Sequence, residues 1–299
     1  MRARLVPEEM HGYSGIQIVA LIAFGEFPHL KTVATLGMMS NDWQHDLYAD
    51  VDTLVVDSSG NTGHAAARLA QAFGFDHVKV VIPNDIPESK KGVIAALGGV
   101  EIIEVGGRTT AAERAREEAL KPGHYHLNQY AHVGNSRAHE MYTGPAIAHV
   151  LADLRVAGIA IPLGSGGTAC GVGAYFKKVD HTVSVIGVRP LQGEQVPGTR
   201  DKKKMEAVVR LPWRDAVSRV EEVGRKESFT MMRRLWSAVE PQVGPSSGLA
   251  YAGLLRYLAS FSPKGLERYR NMTFGFICPD DGRFYSERIT GELDPDQGL

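Results

Sequence analysis

Six small or polar residues, Asp57-Ser58-Ser59-Gly60-Asn61-Thr62, interrupt an otherwise apolar stretch, "VVDSSGNTGHAAARLA". The valines before them predict a buried strand, and the alanines after them predict a helix. A helix N-terminus offers unpaired N–H groups and partial positive charge, so this loop suits a carboxylate. Simple capping of the helix is the alternative, although a cap needs only one such residue.

A second loop, Gly164-Ser165-Gly166-Gly167-Thr168, follows the predicted strand "GIAIPL" and opens another helix. Its glycines let backbone N–H groups converge on a phosphate, and Thr168 adds a hydroxyl. The loop also satisfies a loose dinucleotide fingerprint, with Arg189 placed to receive a 2′-phosphate. A nicotinamide-dependent oxidoreductase is therefore an open alternative.

A third loop, Gly244-Pro245-Ser246-Ser247-Gly248, also opens a predicted helix. Its hydroxyls could cap that helix or meet a heteroaromatic nitrogen. Two anion-binding loops and a third hydroxyl loop suit a phosphorylated cofactor that carries an amino acid. This combination points to pyridoxal phosphate, whose chemistry needs a lysine amine.

The elements that must position these loops alternate along the chain as strand and helix, which predicts parallel sheets with helical crossovers. In such sheets the loops at the carboxyl ends of the strands hold the ligand. The stretch at 191–215 has no clean periodicity and is interpreted as a surface excursion, with a functional loop as the alternative.

Composition bounds the class of protein. The 299 residues predict about two domains, and 43% apolar and 22% charged residues are ordinary for a globular chain. A net charge of −1 gives no reason to expect nucleic acid or an anionic membrane as a partner. We find no signal peptide or membrane span, and two cysteines, Cys170 and Cys278, indicate no disulfide framework, so we expect a cytoplasmic protein.

Four histidines, His124, His126, His132 and His139, lie close together in the sequence. Strand alternation and the lack of an acidic or cysteine partner argue against a metal site. We therefore expect no metal.

Seven ordered stretches resemble the cysteine synthase family of fold type II pyridoxal-phosphate enzymes. They are "SSGNTGHAAA", "VVIPNDIPESKKGVIAALGGVEII", "LNQYAHVGNSRAHEMYTGPAI", "GSGGTACGVGAYFK", "IGVRPLQGEQVPGTR", "GPSSGLAYAGLL" and "CPDDGRFYSE". The sequence "LQGEQVPGTR" is most similar to that of the cysteine synthase B branch and its O-phosphoserine-using relatives.

The resemblance implies an α/β fold of two lobes, each a twisted, mostly parallel sheet flanked by helices, as in the tryptophan synthase β subunit. A smaller mobile lobe would span residues 25–133 and carry the lysine and the substrate loop. Residues 1–24 and 134–299 would form the larger lobe, which binds the cofactor phosphate. The family's homodimer is expected here too.

The resemblance also implies a role for each motif residue. Lys31 would form the Schiff base, Asn61 would bond the cofactor 3′-oxygen, and Gly164, Ser165, Gly166, Gly167 and Thr168 would hold the phosphate. Ser246 would face the pyridine nitrogen, and its neutral hydroxyl would leave that nitrogen unprotonated. Substrate would be bound by Ser58, Ser59, Thr62 and Gln129 at its carboxylate, and by Arg200 at a phosphate leaving group or an anionic thiol donor.

The implied reaction is β-replacement on O-acetylserine or O-phosphoserine through an α-aminoacrylate, which gives L-cysteine or a related β-substituted alanine; a β-elimination lyase is a related possibility. The segment "GEFPHLKTV" lacks the asparagine, glycine, serine and arginine that the family has around its lysine. A non-catalytic or specialised relative of the family therefore remains an alternative.

Overall fold

The computed structural model describes residues 1–27, 29–58, 60–84, 88–107 and 109–285, without the side chains at 88–90, 93 and 284. Backbone contacts divide the chain into two compact units. The smaller unit is Lys31–Ala138, and the larger unit combines Met1–Leu30 with the chain from His139 onward. The motifs placed these divisions at residues 25 and 134, and the mobility of the smaller lobe stays a prediction.

The strands of the described residues are, in chain order, β1 (Arg2–Val6), β2 (Ile16–Ile22), β3 (Thr53–Val56), β4 (His77–Pro83), β5 (Val100–Val105), β6 (His124–His126), β7 (Val156–Pro162), β8 (Ser184–Pro190), β9 (Arg219–Val223) and β10 (Met272–Cys278).

The α-helices of the described residues are α1 (Glu8–His11), α2 (Lys31–Trp43), α3 (Asn61–Leu69), α4 (Glu88–Ala95), α5 (Ala111–Glu118), α6 (Val133–Ala138), α7 (Gly144–Val150), α8 (Gly167–Val179), α9 (Lys202–Val208), α10 (Arg225–Leu235), α11 (Pro245–Ala259) and α12 (Pro263–Leu266). A π-helical turn, His139–Thr143, precedes α7.

The smaller unit contains a four-stranded sheet in the order β5-β4-β3-β6. All of its strand pairs are parallel, and β3 pairs with β6 through Val55 opposite His126. Apolar residues of β3 and β4 form the core with α2 and α3, as at Leu54, Val80 and Met38. The segments that follow β3 and β6 therefore leave the same edge of the sheet side by side.

The larger unit contains a six-stranded sheet in the order β1-β2-β10-β7-β8-β9. Only the β1–β2 pair of this sheet is antiparallel. The core is formed by β10 and by α11, which is buried along most of its length. Since β10 lies beside β7, the loops that follow these two strands leave neighbouring positions at one edge.

The α/β fold of two mostly parallel sheets flanked by helices is confirmed. Within the described ranges, no helix is both long enough and apolar enough to cross a bilayer. The periodicity of the stretch at 191–215 did not predict the helix α9. Asp201 begins this helix by accepting a hydrogen bond from the Lys204 amide at 2.9 Å, a signal that its lysine-rich composition obscured.

Candidate active site

Lys31 is the first residue of α2, and its side chain lies among the predicted substrate-binding residues. Its Nζ donates to Gln129 Oε1 at 3.2 Å, and Thr62 Oγ1 donates to the same oxygen at 2.8 Å. Thr62 and Gln129 are both buried. The smaller unit thus brings together three predicted site residues that lie far apart in the sequence.

The loop before α3 keeps its hydroxyls out of helix capping. Gly60 occupies the N-cap of α3, and among the described residues no side chain caps that helix. The Ser58 hydroxyl instead accepts from the Gly60 amide at 3.4 Å. A Cβ at Gly63 would clash with the Ser58 carbonyl oxygen, so the turn requires glycine there. The capping alternative is not what the described residues show, and Ser59 lies outside them.

Asn61, the predicted partner of the cofactor 3′-oxygen, is the first residue of α3. It stands at the helix N-terminus beside Thr62, whose hydroxyl is bonded to Gln129. The backbone of Gln129 is fixed as well, since Asn135 Nδ2 donates to its carbonyl at 2.8 Å. Three predicted substrate-binding residues that are described, Ser58, Thr62 and Gln129, therefore belong to one small region of this unit.

Asp57, which precedes the predicted substrate loop, is paired with His126. His126 Nε2 lies 3.0 Å from Asp57 Oδ1, and both side chains are mostly buried. Asp57 immediately precedes Ser58, and His126 ends β6. The premise that these histidines lack acidic partners was therefore wrong for His126, and also for His132, which contacts Asp42, because folding brings together residues that are distant in sequence.

Asp42 is a second buried carboxylate and lies near the C-terminal end of α2, the helix that begins with Lys31. His132 Nε2 donates to its Oδ1 at 2.7 Å, and Tyr125 Oη donates to its Oδ2 at 2.9 Å. The Gly134 amide donates to His132 Nδ1 at 2.9 Å, which leaves His132 Nε2 as the donor to Asp42. Burial raises the pKa of Asp42, but its interactions with His132, followed by the hydrogen bonds from Tyr125 and Asn41, outweigh burial and leave that pKa below its ordinary value.

The Gly164–Thr168 loop of the larger unit joins β7 to α8. Gly166 is the N-cap of α8 and adopts φ +81°, a left-handed conformation that favours glycine. A Cβ at Gly164 would clash with the Gly198 carbonyl oxygen, and one at Gly166 would lie 3.1 Å from Trp213. The loop is therefore a backbone cradle at the start of a 13-residue helix, which suits a phosphate.

His139, which was not predicted as a site residue, contacts the predicted phosphate-binding residue Thr168. Its Nε2 lies 3.1 Å from Thr168 Oγ1, and its Nδ1 lies 2.9 Å from Thr143 Oγ1. The ring is buried at the start of the π-helical turn, a feature that often marks functional positions. The nearby threonine-glycine-proline motif was the available signal, but histidine was weighed only as a metal ligand.

Arg200 lies in the segment that was predicted to be a surface excursion, and this segment packs onto the Gly164–Thr168 loop. The Arg200 amide donates to the Leu163 carbonyl at 3.0 Å, directly before the loop. Trp213 is only 2% exposed. Most residues of the stretch at 191–215 are exposed or half-buried, as a surface excursion predicts, but the glycines of the loop leave room for the backbone at Gly198 and for the Trp213 ring.

Ser246 is in the first turn of α11 and is buried beside Asp280. Ser246 Oγ donates to Asp280 Oδ1 at 3.4 Å, and the Tyr285 hydroxyl donates to Asp280 Oδ2. The Gly244 amide donates to the Asp280 carbonyl at 3.0 Å. The predicted ring-nitrogen partner thus has a carboxylate behind it that the sequence analysis did not assign.

These arrangements fit pyridoxal phosphate better than the alternatives. The cradle at Gly164–Thr168 suits its phosphate, and a lysine amine lies among hydrogen-bonding side chains in the other unit. Arg189, the candidate for a nicotinamide 2′-phosphate, is held by Glu222 at 2.9 Å. Across the residues described, no three His, Cys, Asp or Glu side chains are grouped to hold a metal ion.

Comparison with known proteins supports the same cofactor. A family model described as pyridoxal-phosphate dependent enzyme matches residues 31–267. Cysteine synthase B of Pseudomonas aeruginosa PAO1 is 32% identical over 251 residues, which cover 82% of this chain and 78% of that protein. Cysteine synthase B of Escherichia coli K12 is 27% identical over 271 residues, which cover 90% and 86% of the two chains.

Solved structures share the fold. An O-ureido-L-serine synthase superposes with a TM-score of 0.83 at 20% identity and covers 99% of this chain and 93% of its own. A hydrogen sulfide-producing enzyme, crystallised with an α-aminoacrylate intermediate, superposes with a TM-score of 0.79 at 22% identity and covers 91% and 83%.

Proposed function

Because the chain belongs to the pyridoxal-phosphate dependent enzyme family, we propose that it catalyses β-replacement on an activated L-serine derivative and forms L-cysteine or a related β-substituted alanine. The cysteine synthase B relatives support the reaction type. The observation that carries the proposal is the shared hydrogen bonding of Lys31 and Thr62 to Gln129. It places the only amine of this cluster beside groups that suit an amino-acid carboxylate.

Pyridoxal phosphate, when bound, supplies the electron sink that weakens the Cα–H bond and lets the Cβ substituent depart. Lys31 is the residue we assign to its aldehyde, and Asn61 to its 3′-oxygen. We assign Gly164, Ser165, Gly166, Gly167 and Thr168 to its phosphate and Ser246 to its ring nitrogen. His139 would orient the Thr168 hydroxyl, which it contacts at 3.1 Å.

Lys31 would also act on the substrate as a general base. Once released from the cofactor, its Nζ would take the proton from the substrate Cα. Thr62 and Gln129, with Ser58 and Ser59, would hold the substrate carboxylate and so orient that proton toward Nζ. Gln129 then exchanges a hydrogen bond with Lys31 for one to substrate, through its amide donor.

A finer part of the proposal concerns the leaving group of the substrate, for which we assign the preference to Arg200. Its guanidinium is a bidentate donor that suits a phosphate or another anionic group. We propose that Arg200 favours O-phosphoserine, or an anionic thiol donor, over neutral alternatives. The Arg200→Ala variant should lose activity with O-phosphoserine about tenfold or more, and should retain it with O-acetylserine. Equal losses with both substrates would contradict this role.

Borohydride reduction of the purified holoenzyme, followed by peptide mapping, tests the proposed function. We expect the reduced cofactor on the peptide that contains Lys31, and turnover of O-acetylserine or O-phosphoserine with sulfide before reduction. Label at another lysine would overturn the assignment of Lys31. Label at Lys31 with no turnover of either substrate would overturn the reaction and favour a binding role.

A further inference from the structure

Asp280 is a buried carboxylate to which the roles above give no task. It lies two residues beyond β10 and is 2% exposed. Its backbone carbonyl accepts the Gly244 amide, which ties it to the loop that carries Ser246. A Cβ at Gly244 would clash with Asp280 Oδ1, so the carboxylate fills the space beside that loop. Burying a carboxylate is costly unless hydrogen bonds compensate it.

Two hydroxyls supply those bonds. The Tyr285 hydroxyl donates to Asp280 Oδ2, and Ser246 Oγ donates to Oδ1 at 3.4 Å. An ionised carboxylate only accepts, so each hydroxyl must turn its hydrogen toward Asp280. A serine hydroxyl has one hydrogen. When Ser246 gives it to Asp280, only lone pairs remain for any other partner of Ser246.

We propose that Asp280 is a positioning residue that draws the Ser246 hydrogen to itself and makes Ser246 a hydrogen-bond acceptor toward the pyridine nitrogen of the cofactor. This proposal rests on the proposed role of Ser246. A serine without a carboxylate behind it donates to the ring nitrogen and leaves it unprotonated. The Asp280–Ser246 pair instead raises the proton affinity of that nitrogen, both through the direction of the hydrogen bond and through the negative charge.

The other titratable groups around Asp280 are compatible with this assignment. Tyr285 is its second donor, and the buried Cys278 thiol ends β10, where burial raises its pKa and the nearby Asp280 charge adds to the rise. Asp281 is held by Arg283, whose Nε lies 3.0 Å from its Oδ2. The backbone of buried His29 forms an isolated bridge with Asp280.

The Asp280→Asn variant removes the negative charge of the side chain and nearly keeps its shape. An asparagine can accept from Tyr285 through Oδ1 while its Nδ2 donates to Ser246 Oγ. This reversal frees the serine hydrogen for the ring nitrogen. In holoenzyme reconstituted with cofactor labelled with ¹⁵N at the ring, the pH midpoint of the ring-nitrogen shift should therefore fall by about one unit or more.

Three further variants make the test specific. Tyr285→Phe removes the competing donor and should raise the midpoint, which gives a second measurement if Asp280→Asn does not fold. Asp281→Asn removes an adjacent charge and should leave the midpoint unchanged. In a double-mutant cycle, Asp280→Asn should add a clearly smaller shift to a Ser246→Ala background than to the unchanged protein, because only the part due to its charge remains once the hydroxyl is gone.

Each remaining outcome overturns a defined part of the proposal. A midpoint that moves in Ser246→Ala but in neither Asp280→Asn nor Tyr285→Phe overturns the role of Asp280 and leaves the proposed function intact. A midpoint that moves in none of the variants overturns the placement of Ser246 at the ring nitrogen. Equal shifts from Asp280→Asn with and without Ser246 overturn the transmission through the hydroxyl.

Discussion

The smaller and larger units each present polar groups at the carboxyl ends of parallel strands, but they use different atoms. In the smaller unit, the predicted functional atoms belong to side chains: Lys31 and Thr62 both donate to Gln129. In the larger unit, the Gly164–Thr168 cradle is mainly backbone, shaped by glycines that tolerate close neighbours. A side-chain cluster can be dismantled one functional group at a time, whereas a backbone cradle can be disturbed only by added bulk.

The largest expected effect comes from removing the amine of the smaller unit. Lys31→Ala should lower kcat by about 10³-fold or more, since the loss of a group that acts on both cofactor and substrate is rarely compensated. Steady-state kinetics with O-acetylserine and sulfide measure this effect.

Lys31→Arg sharpens the same prediction. Arginine keeps the positive charge and can still donate to Gln129, but its guanidinium does not lose a proton in proteins. It should therefore be as inactive as Lys31→Ala. Lys177→Ala, at an exposed position on α8, is the matched control and should retain full activity. Substantial turnover by the arginine variant would show that Lys31 contributes only charge.

The second effect tests the backbone cradle of the larger unit. Gly164→Ala adds one methyl group against the Gly198 carbonyl and should force the loop to shift. Overpacking of this kind costs about 1–3 kcal/mol, so cofactor affinity should fall roughly 5–150-fold. Titration of the apoprotein with pyridoxal phosphate measures the dissociation constant.

Gly92→Ala is the matched control, because a Cβ at Gly92 meets nothing within 4 Å and the residue lies in α4. This change should leave cofactor affinity unchanged and stabilise the helix slightly. If Gly164→Ala also leaves affinity unchanged, the cradle does not depend on the close approach at Gly198.

The two regions were not equally readable from sequence. The cradle is local: five consecutive residues, Gly164 to Thr168, carry both its motif and its geometry. The lysine cluster is not local, and Lys31 was found only through the register of the family motif. The contact of Thr62 with Gln129 depends on how β3 and β6 pair, and the contact of Lys31 depends on where α2 packs; no local pattern specifies either.

The supporting carboxylates were the least predictable feature. Asp42 meets His132, Asp57 meets His126, and Asp280 meets Ser246. Each pair joins residues that are distant in sequence, and each partner alone has an ordinary explanation as a surface or capping residue. Only the folded arrangement shows that the acids are buried and that hydrogen bonds satisfy them.

A third and smaller effect concerns Asp42, the buried carboxylate near the end of the helix that begins with Lys31. Asp42→Asn removes the charge that accepts from His132, Tyr125 and Tyr48, and should lower the free energy of unfolding by about 1–3 kcal/mol at pH 7. Urea unfolding at several pH values measures it. Asp50→Asn, at an exposed acid beyond α2, is the control and should unfold like the unchanged protein.

The pH dependence of this effect has a defined sign. The pKa of Asp42 in the folded state lies below its ordinary value of 3.8. Its ionised form therefore stabilises the fold fully above that value, and the contribution is lost as the pH falls through the lower, folded pKa. The stability difference between the unchanged protein and Asp42→Asn should narrow below about pH 4. A difference that stays constant with pH would mean that shape, not charge, is responsible.

The smallest effect separates structural hydroxyls from functional ones within the smaller unit. Thr110 caps α5: its Oγ1 accepts from the Glu113 amide at 3.2 Å, and Glu113 Oε2 accepts from the Thr110 amide at 2.8 Å. Thr110→Ala should cost about 1 kcal/mol of stability in urea unfolding, while Thr110→Ser should restore it. Neither change should alter kcat or KM.

Thr62 also stands at a helix start, but its hydroxyl bonds Gln129 instead of capping α3, so Thr62→Ala should raise KM for the amino-acid substrate. If Thr110→Ala raised KM equally, the hydrogen-bond partner of a hydroxyl would not distinguish the two roles.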